Sequence, residues 1–315
     1  MTFALRAKNE LARRPFGDSC CQAAELAAFV RLNGTVQISG KHITLNVVTS
    51  NAATARRLFS LFKQLFHFAP ELLVRRRNRP RKNNVYLVRI AKADRVREVL
   101  SVLGLIQDGL PAQGIDPAFR ENKCCRRAYL RGAFLAAGSV SNPEHSYHLE
   151  IYTDYRQHAE DLAALLETFG ISVKITRRKN GHLLYLKDSE QIVEFLNVIG
   201  AHSALLAFEN VRILKDMRNR VNRLVNFETA NVGKTVAAAV RQVEAIRLIE
   251  RRIGLDALPP SLRELARLRL QHPEASLQEL GEMLDPPLGK SGVNHRMRRL
   301  EKLSRTLLAE KREAK

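Results

Sequence analysis

CCQAAELAAFVRLNGTV (20–36) and CCRRAYLRGAFLAAGSV (124–140) are two versions of one segment. Both open on a cysteine pair, run through an apolar stretch rich in small residues, and close on a glycine, Gly34 or Gly138, followed by a second-next valine, Val36 or Val140. Self-similarity over such a distance is the mark of a duplicated unit. The likeness continues outward: HITLNVVTS (42–50) lies over SYHLEIYTD (146–154), with Thr49 on Thr153. Leu58 to Leu65 then match Leu162 to Phe169, and VREVLSVLG (96–104) matches IVEFLNVIG (192–200) at a contracted spacing. The residues lost fall in the second hairpin of each copy, where insertions are tolerated.

Each copy predicts helix, hairpin, helix, hairpin, helix. HITLNVV and YHLEIY alternate with period two, the pattern of half-buried strands, whereas ATARRLFSLFKQLF and HAEDLAALLETFG carry apolar residues at helical spacing. PELLVRRRNRPRKNNVYLVRI (70–90) and ISVKITRRKNGHLLYLK (171–187) each read as strand, basic turn, strand, with Asn180-Gly181 predicted as a two-residue turn. Closing helices end at Gly104 and Gly200, the glycine expected just past a helix end.

Composition bounds the function. The 315 residues carry Lys+Arg 52 against Asp+Glu 32, a net charge of +20, with 45% hydrophobic residues. That is globular and strongly basic, two or three domains in length, and points to a polyanionic partner, for which nucleic acid is the expectation. No stretch reaches the ~18 apolar residues of a membrane span, and the broken, charged first twenty residues do not form a secretory leader. The expectation is a cytoplasmic, nucleoid-associated protein without a membrane partner. The cysteines fall as Cys20-Cys21 and Cys124-Cys125, neither a disulfide framework nor the spacing of a zinc site. A small buried apolar role is expected, with no metal and no cofactor.

In the second copy Ala128, Gly132 and Ala136 recur every four residues, and Ala24 and Ala28 begin the matching stripe in the first. For one copy alone, an ordinary alanine-rich core helix is the plainer reading. Two copies favour helices whose backbones pack on each other about a pseudo-two-fold axis. LAAFVRLNG (26–34) and LRGAFLAAG (130–138) resemble the LAGLIDADG helix of homing endonucleases, and the αββαββα order is similar to theirs. The resemblance implies a pseudo-symmetric pair of half-domains whose strands form a saddle over a DNA groove.

RRRNRPRK (75–82) supplies Arg75, Arg76, Arg77, Arg79, Arg81 and Lys82 around one hairpin, and the second copy supplies Arg177, Arg178 and Lys179. Such residues neutralise phosphates and can fork onto guanine; the alternative is a solvated strand edge kept basic against pairing. The resemblance also implies where a nuclease would hold Mg²⁺: one carboxylate per helix, just before the final glycine. Asn33 and Ala137 occupy those positions, and neither offers an anionic oxygen. Glu25 has no acidic partner in the second helix. No catalytic residues and no nuclease activity are expected.

Residues 203–253 read as helices joining two modules, with a break near Asn231-Val232-Gly233. Leu258-Pro259-Pro260 marks a new start. SLRELARLRLQH then ends before Pro273, and SLQELGEML (276–284) opens on a Ser276/Glu279 capping box. DPPLGK makes a turn, and SGVNHRMRRLEKLS (291–304) follows with Ser291 as N-cap. On that last helix Val293, Met297 and Leu300 share one face. Ser291, His295, Arg298 and Lys302 lie opposite, flanked by Asn294, Arg296 and Arg299. This is a helix-turn-helix layout, with the second helix in the major groove; a three-helix protein-interaction module is the alternative.

The two modules together, with PEASLQELGEML and KSGVNHRMRRLEKL in the second, resemble the WhiA family across the chain. The expected architecture is α+β: a pseudo-two-fold LAGLIDADG-like αββαββα tandem repeat followed by an all-α helix-turn-helix domain. Residues 1–200 form the first part (repeats about 15–105 and 120–200), 201–258 a helical linker, and 259–315 the last domain, its motif about 275–308. The resemblance implies a double-stranded-DNA-binding transcriptional regulator of bacterial cell division and chromosome segregation, and of sporulation where that occurs. Transcription machinery or another regulator would be its protein partners. The competing readings are an active endonuclease or maturase and a non-enzymatic interaction scaffold.

Overall fold

A computed structural model of the chain describes residues 1–40, 42–75, 84–107 and 109–313, with the backbone alone for 230, 232 and 310–313. Helix α1 (Phe3–Arg13) precedes the first copy: α2 (Ser19–Asn33), β1 (Gly34–Ser39), β2 (His42–Thr49), α3 (Ala52–Phe66), β3 (Glu71–Arg75), β4 (Val85–Ile90) and α4 (Ala93–Val102). A hairpin of β5 (Ile106–Gln107) and β6 (Leu110–Pro111) and the short α5 (Ala118–Glu121) lead to the second. That copy runs α6 (Lys123–Ala137), β7 (Gly138–Val140), β8 (Leu149–Thr153), α7 (Arg156–Glu167), β9 (Lys174–Arg178), β10 (Gly181–Leu186) and α8 (Ser189–Ile199). Helices α9 (His202–Ile253), α10 (Pro260–Gln271), α11 (Leu277–Glu282) and α12 (Lys290–Glu313) complete the chain.

The αββαββα order therefore occurs twice. The two sheets share one topology, β1-β2-β4-β3 and β7-β8-β10-β9, antiparallel throughout. Two compact units divide the chain, Met1–Asp216 and Met217–Lys315.

The first unit is built on the seam between α2 and α6. Ala24, Ala27, Ala28, Ala128 and Ala133 are fully buried there. A Cβ on Gly132 would collide with the Glu25 carbonyl and sit 3.0 Å from the Ala28 Cβ, so small side chains set the helix separation. Both sheets lay their alternate residues, Leu45, Val47 and Val88 in one and Leu149, Ile151 and Leu184 in the other, onto this core. A carboxylate lies inside it. Glu25 is 2% exposed and accepts from Arg57 of α3 and Arg131 of α6, at 2.9 Å for Arg57 Nη2 and for Arg131 Nε. Arg57 also donates to the Arg14 carbonyl at 2.6 Å and covers the Phe16 ring. Glu25 thus clamps three helices and has no acidic partner because its partners are cations.

Three local expectations are corrected. The β9–β10 turn is Lys179-Asn180, one residue earlier than predicted, with Lys179 at φ 55°. Gly181 instead opens β10 opposite Arg178, where a Cβ would strike the Tyr152 ring; it is required for space, not for its dihedral. Helix α9 runs unbroken through Asn231-Val232-Gly233, since one exposed glycine costs a helix only about 1 kcal/mol. Helix α12 begins at Lys290, so Ser291 lies within its first turn, and the Gly289 carbonyl accepts from Val293 N–H at 3.1 Å.

Candidate nucleic-acid interface

In the second unit, α10, α11 and α12 close over a core of Leu262, Leu265, Ala266, Leu280, Leu284, Val293, Met297 and Leu300, to which Ile246 and Ile249 of α9 contribute. Helix α11 starts at the predicted capping box: Glu279 N–H donates to Ser276 Oγ at 3.2 Å and Ser276 N–H returns to Glu279 Oε2 at 2.6 Å. Those bonds hold the Glu279 carboxyl below the usual range. Residues 283–289 connect α11 to α12. The connection is pressed onto α11, with Leu288 N–H donating to the Gly281 carbonyl at 2.9 Å; a Cβ at Gly281 would run into the Leu288 carbonyl.

With Val293, Met297, Leu300 and Ser304 turned inward, α12 shows solvent Ser291, His295, Arg298, Arg299 and Lys302. Asn294 and Arg296 are half-buried at its margins, and Arg296 Nη1 reaches the Ser261 carbonyl at 3.5 Å. The ion pairs of this unit among the described residues lie elsewhere, joining Asp256 to Arg263 and Arg267. Arg298, Arg299 and Lys302 therefore remain unneutralised on one exposed face.

The sheets of the first unit offer a second surface. Strand register places Thr35, Gln37, Thr44, Asn46 and Arg89 on the outer face of the first sheet, with Arg89 Nε donating to Asn46 Oδ1 at 3.0 Å. Arg75 ends β3, exposed, on the same face. Arg76, Arg77, Arg79, Arg81 and Lys82 lie outside the described residues. On the second sheet Arg178 shares the outer face with Tyr185 and Glu150, whereas Arg177 alternates to the other side and Lys179 sits at the turn. Glu150 Oε2 lies 3.4 Å from Arg178 and 3.3 Å from His148. This face is thus partly neutralised, unlike that of α12.

Asn33 and Ala137 stand at the ends of the paired central helices, both half-buried, and Asn33 Nδ2 donates to the Ala136 carbonyl at 3.2 Å. At the opposite ends of the same helices the fold does what cysteine spacing did not suggest. The Sγ atoms of Cys20, Cys21, Cys124 and Cys125 all lie within 4.8 Å of one another. Burial raises the Cys21 thiol to about 12 and pushes Cys125 upward too, while hydrogen bonding with Cys21 lowers Cys124. A buried His158, bonded to Tyr129 Oη and Thr153 Oγ1 at 2.9 Å each, is a further polar site that sequence patterning did not single out.

Three family models match the chain: the WhiA N-terminal LAGLIDADG-like domain over 19–106, the WhiA LAGLIDADG-like domain over 126–218, and the WhiA C-terminal HTH domain over 221–304. "Probable cell division protein WhiA" of Desulforamulus reducens is 54% identical over 311 residues, 98% of this chain and 96% of that protein. The protein of the same name from Clostridium botulinum is 47% identical, covering 96% and 98%. Among solved structures, full-length DUF199/WhiA from Thermatoga maritima aligns at a TM-score of 0.60 and 29% identity, over 97% of this chain and 99% of that one. No helix among the described residues is long and apolar enough to cross a membrane.

Proposed function

This chain belongs to the WhiA family, and from that membership we propose that it is a double-stranded-DNA-binding transcriptional regulator acting in bacterial cell division. The observation that carries this reading is the exposed, unneutralised face of α12. A helix presenting Ser291, Asn294, His295 and Arg298 from its first turns suits the major groove, where Asn pairs with adenine and Arg forks onto guanine. Arg296, Arg299 and Lys302 would hold the flanking phosphates. The hairpin residues Arg75 to Lys82, Arg177, Arg178 and Lys179 would add backbone contacts from the first unit. Glu150 opposes these on the second sheet, which makes α12 the stronger determinant of site choice. Two DNA-contacting modules on one chain raise each other's local concentration on any duplex that reaches both.

Nuclease activity is not part of this proposal. Asn33 and Ala137 supply no anionic oxygen at the helix ends, the positions where the resemblance implies that a nuclease would hold its divalent ion. Roles in chromosome segregation and sporulation, nucleoid association, and contacts with transcription machinery or another regulator extend the same reading; the names of the relatives support the cell-division part.

The test is fluorescence anisotropy of the full chain on genome-selected and scrambled duplexes across a salt series. Affinity should fall by orders of magnitude between about 50 and 200 mM salt, and Arg298→Glu with Lys302→Glu should abolish preference for the selected duplex. Binding insensitive to both would overturn the reading and favour an acidic protein partner.

A further inference from the structure

The four cysteines occupy equivalent places at the start of α2 and α6, where the two copies meet at the pseudo-two-fold axis. Cys21 and Cys125 are buried and Cys20 and Cys124 are exposed, so each copy supplies one inner and one outer thiol. All four sulfurs fall within 4.8 Å of one another, and those of Cys124 and Cys125 are 4.0 Å apart. Tetrahedral zinc thiolate, with bonds of about 2.3 Å, sets its sulfurs about 3.8 Å apart. The side chains would have to close by less than about 1 Å to meet that geometry. A disulfide needs about 2.0 Å between sulfurs and would use the thiols only in pairs. An iron–sulfur cluster spreads its four thiolates over more than one iron, whereas these converge on a single point.

The surroundings suit the charge of such a complex. Four thiolates around one divalent ion carry a net charge of −2. The four cysteines sit in the first turns of α2 and α6, at the positive ends of the helix dipoles. Arg14, Arg127 and Arg131 line the cleft that contains Cys21 and Cys124. Arg127 donates to the carbonyls of Val198 and Asn197 and Arg14 to that of Gly200; neither is spent on a carboxylate among the described residues.

We propose that Cys20, Cys21, Cys124 and Cys125 bind one Zn²⁺ ion, which joins the two half-domains at the N-terminal ends of their central helices. Each copy contributes two ligands, so neither half forms the site alone, and the ion pins the seam that positions the two sheets. The site is built entirely from residues of the first unit and does not depend on how the α12 face is used.

The experiment is metal analysis of the full chain purified without chelator, followed by reconstitution of the metal-free protein with Co²⁺ alone. About one zinc per chain is expected, released by a mercurial in step with thiol modification. Co²⁺ should give thiolate charge-transfer absorption together with the intense d–d bands of a tetrahedral sulfur site. Cys20→Ser with Cys124→Ser removes the two exposed ligands and should abolish zinc retention while leaving the circular dichroism unchanged. Should that variant fail to fold, the cobalt spectrum of the unaltered chain decides. No retained zinc and no cobalt–thiolate band would overturn the proposal, as would full zinc retention in the folded double variant. Cysteines recovered under anaerobic conditions as disulfides would do so too.

Discussion

Asn33 donates its side-chain amide to the Ala136 carbonyl across the central seam at 3.2 Å, tying the C-terminal ends of α2 and α6 together. The carbonyl at a helix end lacks an intrahelical donor, and an amide from the neighbouring helix supplies one. Asn33→Ala should cost about 1 kcal/mol. Asn33→Asp should cost more, about 1–3 kcal/mol, because a carboxylate would face a carbonyl with no proton to give. Denaturant unfolding of the three proteins checks the order; an Asp variant as stable as the parent would refute the role given to this bond.

The same position bears on catalysis. With an amide and a methyl where the resemblance to homing endonucleases implies carboxylates, incubation with Mg²⁺ or Mn²⁺ should leave genomic DNA without defined fragments at any protein-to-DNA ratio. Discrete cleavage products on a denaturing gel would restore the endonuclease reading.

Glu25 makes a sharper stability prediction. It is a fully enclosed carboxylate held by two guanidinium groups from different helices, so Glu25→Ala leaves Arg57 and Arg131 buried without a counter-charge. A loss of about 3–5 kcal/mol is expected, against about 1 for Asn33→Ala. Chemical denaturation with both variants in parallel gives the comparison, and equal losses would contradict the clamp.

These contrasts bear on how much could be read before the fold was known. The seam was legible because the small-residue stripe occurs twice: Ala128, Gly132 and Ala136 alone suit an ordinary core helix, whereas a matching stripe from Ala24 and Ala28 in a repeated segment favours close approach of two helices. The partition of α12 followed from helical period alone, with Val293, Met297 and Leu300 inside. The cysteine cluster was not legible, because metal sites are recognised by ligands spaced along one chain segment, and these meet only through a symmetry axis. That Glu25 has no acidic partner in the second helix was legible, but sequence order gives no hint that Arg57 and Arg131 turn toward it. Gly181 was placed inside the turn because glycine in a hairpin suggests a special dihedral; its actual constraint, the Tyr152 ring, comes from a neighbouring strand.

His158 sets a pH dependence. Burial, with Arg31 nearby, lowers its imidazole from 6.5 to about 3, so it stays neutral between Tyr129 and Thr153 in the folded chain. The unfolded chain takes up that proton first as pH falls. This contribution is therefore complete above pH 6.5 and is lost progressively toward pH 3, by up to about 1.4 kcal/mol per pH unit. His158→Gln keeps a polar group without the titration and should flatten the stability profile between about pH 6 and 4. An unchanged slope in urea melts across that range would exclude this histidine as the source.

Gly281 links packing in the second unit to the exposed face of α12. Any side chain there meets the Leu288 carbonyl, and Leu288 lies near the end of the connection that delivers α12. Because that connection is bonded back to the Gly281 carbonyl, the backbone cannot yield without moving the start of the helix that carries Ser291, Asn294 and His295. Gly281→Val should destabilise this unit by about 1–3 kcal/mol, speed hydrogen exchange in α10 to α12, and weaken selective duplex binding while α2 and α6 stay protected. Gly289→Ser is the matched control: a Cβ there meets nothing within 4 Å and serine caps a helix start at least as well as glycine, so stability should stay within about 0.5 kcal/mol of the parent. If the two substitutions behaved alike, the contact between Gly281 and Leu288 could not be what aims the helix.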